Sequence, residues 1–136
     1  MCNKLLWSIP ALLFLGLAGC ETQPYKQGRW LYGEYCSNCH METGTGLAGL
    51  IPPLAGADYL ARENLRTACI IRYGLEDTIV VNGQTYAQPM AGIGQLNEVE
   101  ITNIINYINQ AWGNDLGYVS LESVKMQLQS CQASRR

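Results

Sequence analysis

YCSNCHM, at residues 35–41, contains two thiols and an imidazole within five consecutive positions, Cys36 to His40. Thiolate sulfur and imidazole nitrogen bind zinc, paired thiols at this spacing carry out redox exchange, and the pattern C-x-x-C-H also serves for covalent attachment of haem. These three chemistries require different residues elsewhere in the chain, so the remaining sequence decides among them.

The residue inventory favours haem attachment. A structural zinc site commonly takes its Cys and His ligands from two separated pairs, but His40 is the only histidine and the remaining cysteines are isolated. A thioredoxin-like dithiol would lie in a βαβ unit, and no such alternation surrounds residues 25–60. Haem attachment uses every member of the motif: Cys36 and Cys39 form the thioethers, and His40 binds the iron. The motif therefore predicts one covalent haem c.

The amino-terminal residues have the composition of an export signal. Lys4 provides a positive flank, an apolar run extends over residues 5–17, and small residues lead into Cys20. A retained spanning helix would need roughly 20 apolar residues, whereas Pro10 lies inside a shorter run. We predict a cleaved signal peptide at residues 1–19.

Residues 17–20, LAGC, resemble the lipobox of bacterial lipoproteins, whose cysteine is diacylated and becomes the amino terminus. The resemblance implies that acyl chains on Cys20 anchor the exported protein to a bacterial membrane, with residues 20–27 as a lipidated tether. The haem domain would then lie in the periplasm or elsewhere outside the cytoplasm. Because Glu21 is not the aspartate that signals inner-membrane retention in enteric bacteria, the choice between inner and outer membrane stays open.

Length and charge limit the function classes. The chain of 136 residues is long enough for one compact domain. Its formal net charge is -2, and the basic residues are scattered without a run of Lys or Arg. This distribution gives no basic surface of the kind that binds nucleic acid, so no nucleic-acid partner is predicted.

The cysteines divide by chemistry. Six are present: Cys2 leaves with the signal peptide, Cys20 is the lipidation site, and two belong to the haem motif. Cys69 and Cys131 remain, and an exported domain favours their oxidation to a disulfide. Two separately buried, reduced cysteines are the alternative, because sequence alone does not establish that the two thiols meet.

A haem iron bound by His40 needs a further ligand or an open sixth position, and the chain has no second histidine. The candidate sulfurs belong to Met41, Met90 and Met126. Met41 adjoins His40 and cannot reach the opposite haem face, while Met126 falls in a predicted terminal helix. Met90 lies in a proline-containing loop at residues 86–92, so it is the predicted second axial ligand; a core-filling methionine is the alternative.

With CSNCH and Met90 together, the sequence resembles the class I c-type cytochromes over about residues 28–112. In that family a proline carbonyl holds the imidazole N–H of the ligating histidine. Pro52 stands at this position, and Leu54 is expected to lie against the haem. The family also crosses its first and last helices through a glycine and larger side chains, which correspond here to Gly28, Tyr32, Ile104 and Tyr107. Within the family, the sequence looks most similar to small lipoprotein cytochrome c domains of respiratory bacteria.

The resemblance implies an all-α cytochrome c fold, with about four to five helices around one covalent haem and a small hairpin or loop before the methionine ligand. The cytochrome domain would span residues 28–113, and residues 114–136 would form a helical extension packed on it. Local patterns predict helices at residues 97–112, with Asn97 and Glu100 as a capping box, at 65–73, and from Ser120 onward. The Asn-Gly pair within residues 79–86 predicts a two-residue hairpin turn.

The function implied by the resemblance is electron transfer in a respiratory chain, by a membrane-tethered mono-haem cytochrome with His40 and Met90 as axial ligands. Such a protein is a carrier, not an enzyme, and its redox partners would be a terminal oxidase, a reductase or a quinol-oxidising complex. Two alternatives stay open: a haem c subunit fixed in a larger membrane oxidoreductase, and a five-coordinate haem enzyme or sensor. The sequence offers the last of these no distal histidine and no clear acid–base pair.

Overall fold

The computed structural model describes residues 25–134. The predicted signal peptide at residues 1–19, the predicted lipidation site Cys20 and the first part of the tether lie outside the described residues. Among the helices of residues 25–134, none has both the length and the apolar character needed to cross a membrane.

Six α-helices and four short strands form the described part of the chain. The helices are α1 Lys26–Tyr35, α2 Ser37–His40, α3 Asp58–Arg62, α4 Thr67–Tyr73, α5 Glu98–Gln110 and α6 Leu121–Ser134. The strands are β1 Gly74–Leu75, β2 Ile79–Val81, β3 Gln84–Tyr86 and β4 Met90–Ala91. β1 pairs with β4, and β2 with β3, both antiparallel. Helices make up about half of the structure, so the all-α prediction holds only roughly.

Helices α1 and α5 cross at close range. α1 buries Gly28, Leu31 and Tyr32, which lie three and four residues apart and therefore share one face. A Cβ atom at Gly28 would collide with the carbonyl oxygen of Asn103 and would come within 2.8 Å of the Cβ of Tyr107. Only glycine permits this approach, so residue 28 fixes the distance between the two helices.

Helix α5 begins as predicted. The Asn97 side chain accepts from the N–H of Glu100 at 3.0 Å, and the Glu100 carboxylate accepts from the N–H of Asn97 at 2.8 Å. The helix ends at Gln110, earlier than predicted, because Trp112 adopts the left-handed conformation with φ 55° and ψ 26°. Its buried apolar face consists of Ile101, Ile104, Ile105 and Ile108.

The predicted hairpin is present as β2 and β3. Asn82 and Gly83 have φ values of 50° and 78°, and positive φ at both central residues is what a type I′ turn requires. The turn is fastened to the start of α3: the Asn82 N–H donates to the Asp58 carboxylate at 2.7 Å, and the Asp58 N–H donates to the Asn82 side chain at 3.0 Å. The first of these bonds is the main reason that the pKa of Asp58 is lowered.

The predicted helix at residues 65–73 has two parts. Asn64–Arg66 form a 3-10 turn, and α4 then begins at Thr67. Gly74 ends α4 with φ +82°, where a Cβ atom would collide with the carbonyl oxygen of Met90. This close approach brings β1 beside β4.

Helix α6 packs against α4 and α5. It starts directly after Ser120, and its Val124 and Leu128 are buried in the common core. A disulfide joins Cys69 on α4 to Cys131 on α6, with their Cα atoms 6.1 Å apart. The carboxy-terminal helix therefore shares the core of the preceding elements.

Candidate functional site

The two thiols and the imidazole of the CSNCH motif come from one turn of chain. The N–H of Cys36 donates to the carbonyl of Tyr32 at 2.9 Å, which ends α1. The N–H groups of Cys39 and His40 then donate to the carbonyl of Cys36 at 3.1 and 2.9 Å. Cys36 is half-buried, Cys39 is exposed and His40 is buried, and neither cysteine forms a disulfide. This turn brings together the three side chains that the motif predicts to act jointly.

The environment of Cys36 is unsuited to thiol exchange. Burial, with a smaller contribution from the neighbouring Cys39, raises the pKa of the Cys36 thiol to about 12. A redox-active dithiol needs the opposite shift, because the thiolate is the nucleophile. Within residues 25–134, no three His, Cys, Asp or Glu side chains form a group that could hold a metal ion by themselves.

His40 has the protonation state of a metal ligand. Its Nδ1 lies 3.0 Å from the carbonyl oxygen of Pro52. A carbonyl only accepts, so Nδ1 carries a proton, and in the neutral ring Nε2 keeps its lone pair. Burial lowers the pKa of His40, and the bond to Pro52 opposes part of that shift. The lowered pKa favours the neutral ring, and Nε2 makes no hydrogen bond in the described part of the chain, as iron ligation requires.

A tight loop carries Pro52 back to His40. The N–H of Gly46 donates to the carbonyl of His40 at 3.0 Å, and the N–H of Leu54 donates to the carbonyl of Gly44 at 2.7 Å. Gly46 has φ +64°, and a Cβ atom there would lie only 2.6 Å from the carbonyl oxygen of Pro52. The turn at residue 46 thus brings the two segments together, and Leu54 packs against the core beside them.

Met90 is presented by a separate element. The prediction of a loop over residues 86–92 is wrong in part, because Met90 and Ala91 form β4. Met90 lies opposite Leu75 of β1. The Met90 side chain is half-buried. This pairing depends on Gly74, whose φ of +82° a larger residue would not adopt without strain.

The other candidate sulfurs lie elsewhere. Met41 follows His40 directly with φ 63°, and Met126 is 56% exposed on α6.

Three further side chains bind the backbone around the CSNCH motif, a role that the sequence does not indicate. The Tyr32 hydroxyl donates to the carbonyl of Met41 at 2.7 Å. Trp112 Nε1–H donates to the carbonyl of Glu42 at 2.9 Å, and the Asn114 amide donates to the carbonyl of Leu54 at 3.0 Å. For Trp112 and Asn114 the sequence signal is the run Trp-Gly-Asn at residues 112–114, where the predicted helix ends.

The donor set fits a covalently attached haem. Two unpaired thiols lie on the turn that ends in His40, whose neutral imidazole leaves Nε2 free, and a half-buried thioether is supplied by β4. Thioether bonds need the first pair, and axial ligation of iron uses an imidazole nitrogen and a methionine sulfur. The residues present therefore match the chemistry that haem c requires.

Comparison with known proteins identifies the family of the chain. Residues 23–108 match the family described as cytochrome C oxidase, cbb3-type, subunit III. Cytochrome c-552 of Thermus thermophilus is 38% identical over 107 residues, covering 76% of this chain and 69% of that protein. The cytochrome c subunit of the quinone alcohol dehydrogenase of Gluconobacter oxydans is 30% identical over 103 residues, covering 72% of this chain and 21% of that subunit. The chain therefore belongs to the class I c-type cytochromes, within the cbb3-type subunit III family, and its cofactor is covalently bound haem c with iron.

Proposed function

We propose that the protein is a membrane-tethered mono-haem electron carrier whose iron is bound by His40 and Met90. Membership of the c-type cytochromes establishes haem-based electron transfer as its chemistry. The observation that carries the assignment of His40 is the 3.0 Å contact between its Nδ1 and the carbonyl of Pro52, since it leaves Nε2 available for the iron. When bound, the haem supplies an iron that alternates between the ferrous and ferric states.

Each residue of the proposed site has a separate task. Cys36 and Cys39 hold the haem as thioethers, so it stays attached in both oxidation states. Pro52 keeps the His40 ring in one orientation and makes it a stronger donor. The Met90 thioether favours the ferrous state and raises the potential, while Leu54 provides apolar contact. A site with two protein ligands leaves no position for substrate, which is why we propose a carrier.

The ligand assignment predicts the absorption spectrum of the holoprotein. We expect the ferric protein to show the Met-to-iron charge-transfer band, and Met90→Ala to lose it, because no other sulfur would replace Met90. Met126→Ala is the matched control, since Met126 is exposed on α6, and it should keep the band. An unchanged band in Met90→Ala would remove Met90 as the ligand.

The proposed anchor limits where the carrier works. If Cys20 is acylated, residues 21–25 link it to the start of α1 at Lys26, and this segment spans at most about 18 Å when extended. The domain would then stay near the membrane surface outside the cytoplasm. Its partners would be redox proteins of the same membrane, such as a terminal oxidase, a reductase or a quinol-oxidising complex.

A second candidate function is that of a fixed haem subunit in a larger oxidoreductase. It is supported by the similarity to the cytochrome c subunit of the Gluconobacter quinone alcohol dehydrogenase, although this chain covers only 21% of that protein. Purification from detergent-solubilised membranes separates the two candidates. A mobile carrier elutes alone, whereas a fixed subunit elutes with its enzyme in constant proportion.

A further inference from the structure

We infer that Trp112 and Asn114 are positioning residues that hold the Pro52 carbonyl on His40 and thereby set the donor strength of the imidazole. We call these two residues the clasp. The inference rests on the proposed ligation of iron by His40. It deepens that proposal by naming the residues that tune the site from outside the motif.

Trp112 fastens the segment that follows His40. Its indole N–H donates to the carbonyl of Glu42 at 2.9 Å. The indole also covers Gly44, where a Cβ atom would lie 2.6 Å from a ring carbon. The rings of Tyr32 and Tyr107 both pack against the indole, with centroids 5.0 and 5.6 Å from that of Trp112. The backbone of residues 42–44 is therefore fixed against a rigid aromatic group.

Asn114 fastens the segment that follows Pro52. Its side-chain amide donates to the carbonyls of Leu54 at 3.0 Å and Ile108 at 2.8 Å, and its side-chain oxygen accepts from the N–H of Gly56 at 2.8 Å. The side-chain nitrogen of Asn114 thus donates two hydrogen bonds, and its side-chain oxygen accepts one. One asparagine ties both ends of residues 54–56 to the end of α5.

The two fastened segments enclose the contact between His40 and Pro52. They are joined directly, since the carbonyl of Gly44 accepts from the N–H of Leu54 at 2.7 Å. The clasp therefore fixes the backbone on the carboxy-terminal side of both partners of the 3.0 Å contact. Loss of either clasp residue would let the Pro52 carbonyl move relative to the imidazole.

The backbone of Trp112 supports this assignment independently. Its φ of 55° lies in the left-handed region, which is uncommon for a bulky residue and persists only where the surroundings enforce it. In this conformation the indole reaches Glu42, across 70 positions of sequence. A helix that continued through residue 112 in the ordinary conformation would point the side chain elsewhere.

A weaker contact to Pro52 has two measurable consequences. The Nδ1–H of His40 would exchange with solvent faster, because its acceptor holds it less well. The imidazole would also donate less electron density, which stabilises the ferric state less and raises the midpoint potential.

The test uses Trp112→Phe, which keeps an aromatic ring but removes the N–H donor, and Asn114→Ala, both as holoprotein. We expect the His40 Nδ1–H, followed by NMR in the ferrous state, to exchange about fivefold faster in each variant, the factor that corresponds to loss of its one hydrogen bond to the Pro52 carbonyl. Potentiometric titration should show a higher midpoint potential in both. If Asn114→Ala fails to mature, Asn114→Asp removes the same amide donors and keeps the acceptor for Gly56.

Two matched controls separate positioning from general destabilisation. Trp30→Phe changes an indole that is 58% exposed on α1, and Asn106→Ala removes an amide that binds only the backbone of Val119. Asn106→Ala should lower the denaturation midpoint, but both controls should keep the exchange rate and the potential of the unsubstituted protein. Unsubstituted values in either clasp variant would overturn the inference. A different axial ligand would instead be evident in the unsubstituted protein, which would then lack the ferrous-state signals of a bound His40.

Discussion

A single hydrogen atom in place of a side chain determines how closely two helices of this cytochrome approach. Gly28 on α1 lies directly against the carbonyl of Asn103 on α5. The aromatic side chains that follow, Tyr32 and Tyr107, can pack at 5.4 Å only because this crossing is close. These two rings in turn pack against the indole of Trp112, which binds the carbonyl of Glu42. The size of residue 28 therefore indirectly affects the backbone that follows the haem motif.

We expect Gly28→Ala to lower the free energy of unfolding by about 1–3 kcal/mol, the usual cost of forcing extra volume into a packed interface. Gly33→Ala is the control, because it lies on the same helix with nothing within 4 Å of its Cβ position. There the higher helix propensity of alanine should leave stability unchanged or raise it by up to about 1 kcal/mol. Denaturant titration of both holoproteins measures the difference. Equal effects of the two substitutions would contradict the close crossing.

At the scale of elements, α6 is the segment whose contribution is easiest to underestimate. It follows the last helix of the predicted cytochrome domain, yet Val124 and Leu128 lie in the same core as α4 and α5. The disulfide between Cys69 and Cys131 closes a loop of 62 residues in sequence separation. The helix therefore restricts the unfolded chain as well as contributing apolar burial to the folded one.

Replacing both Cys69 and Cys131 by serine should lower the free energy of unfolding by about 4 kcal/mol, as loop-closure entropy predicts for a loop of this length. The measurement is denaturant unfolding, with the iron kept ferrous so that added dithiol changes only the disulfide. Dithiol should produce the same loss in the unsubstituted protein and no loss in the double variant. An unsubstituted protein that is equally stable with and without dithiol would argue against the bond.

The elements that could be predicted are those specified by neighbouring residues. The start of α5 depends on Asn97 and Glu100, which are within one helical turn, and the hairpin depends on Asn82 followed by Gly83. No local signal of this kind in the sequence predicts the pairing of β1 with β4. Two-residue strands have no alternation, and their pairing depends on a close approach at Gly74 that only the folded chain produces.

The same distinction applies to the site. Cys36, Cys39 and His40 lie within five consecutive positions, so their shared chemistry can be predicted from spacing alone. Trp112 and Asn114 act on residues 70 and 60 positions away, and their role depends on how α5 ends. No periodic pattern in the sequence predicts where α5 ends, because the end is determined by Trp112 in a left-handed conformation.

At the scale of the whole molecule, the proposed anchor and the haem site are independent in sequence. Cys20 lies outside the motif and outside the described residues, while the domain begins at α1. Its proposed acyl chains would contribute about 0.8 kcal/mol for each buried methylene, enough in two or more chains for stable attachment. Membrane location and haem chemistry should therefore be separable by one substitution.

We expect Cys20→Ser to move the protein from the membrane fraction to the soluble fraction outside the cytoplasm, without changing the haem spectrum. Fractionation of cells followed by haem staining makes the measurement. The double serine variant of Cys69 and Cys131 is the matched control, since it changes cysteines that the anchor does not use, and it should stay with the membrane. A Cys20→Ser protein that also stays there would exclude the lipid as the anchor.

The crossing of α1 with α5 would also set an order of events if the chain is exported as proposed. The residues of the haem motif follow α1 immediately, whereas the helix that closes over Gly28 begins only at Glu98. If the chain crosses a membrane from its amino terminus, as the proposed export implies, Cys36 and Cys39 emerge before α5 does. The haem motif would then be accessible before the close contact between α1 and α5 forms at Gly28.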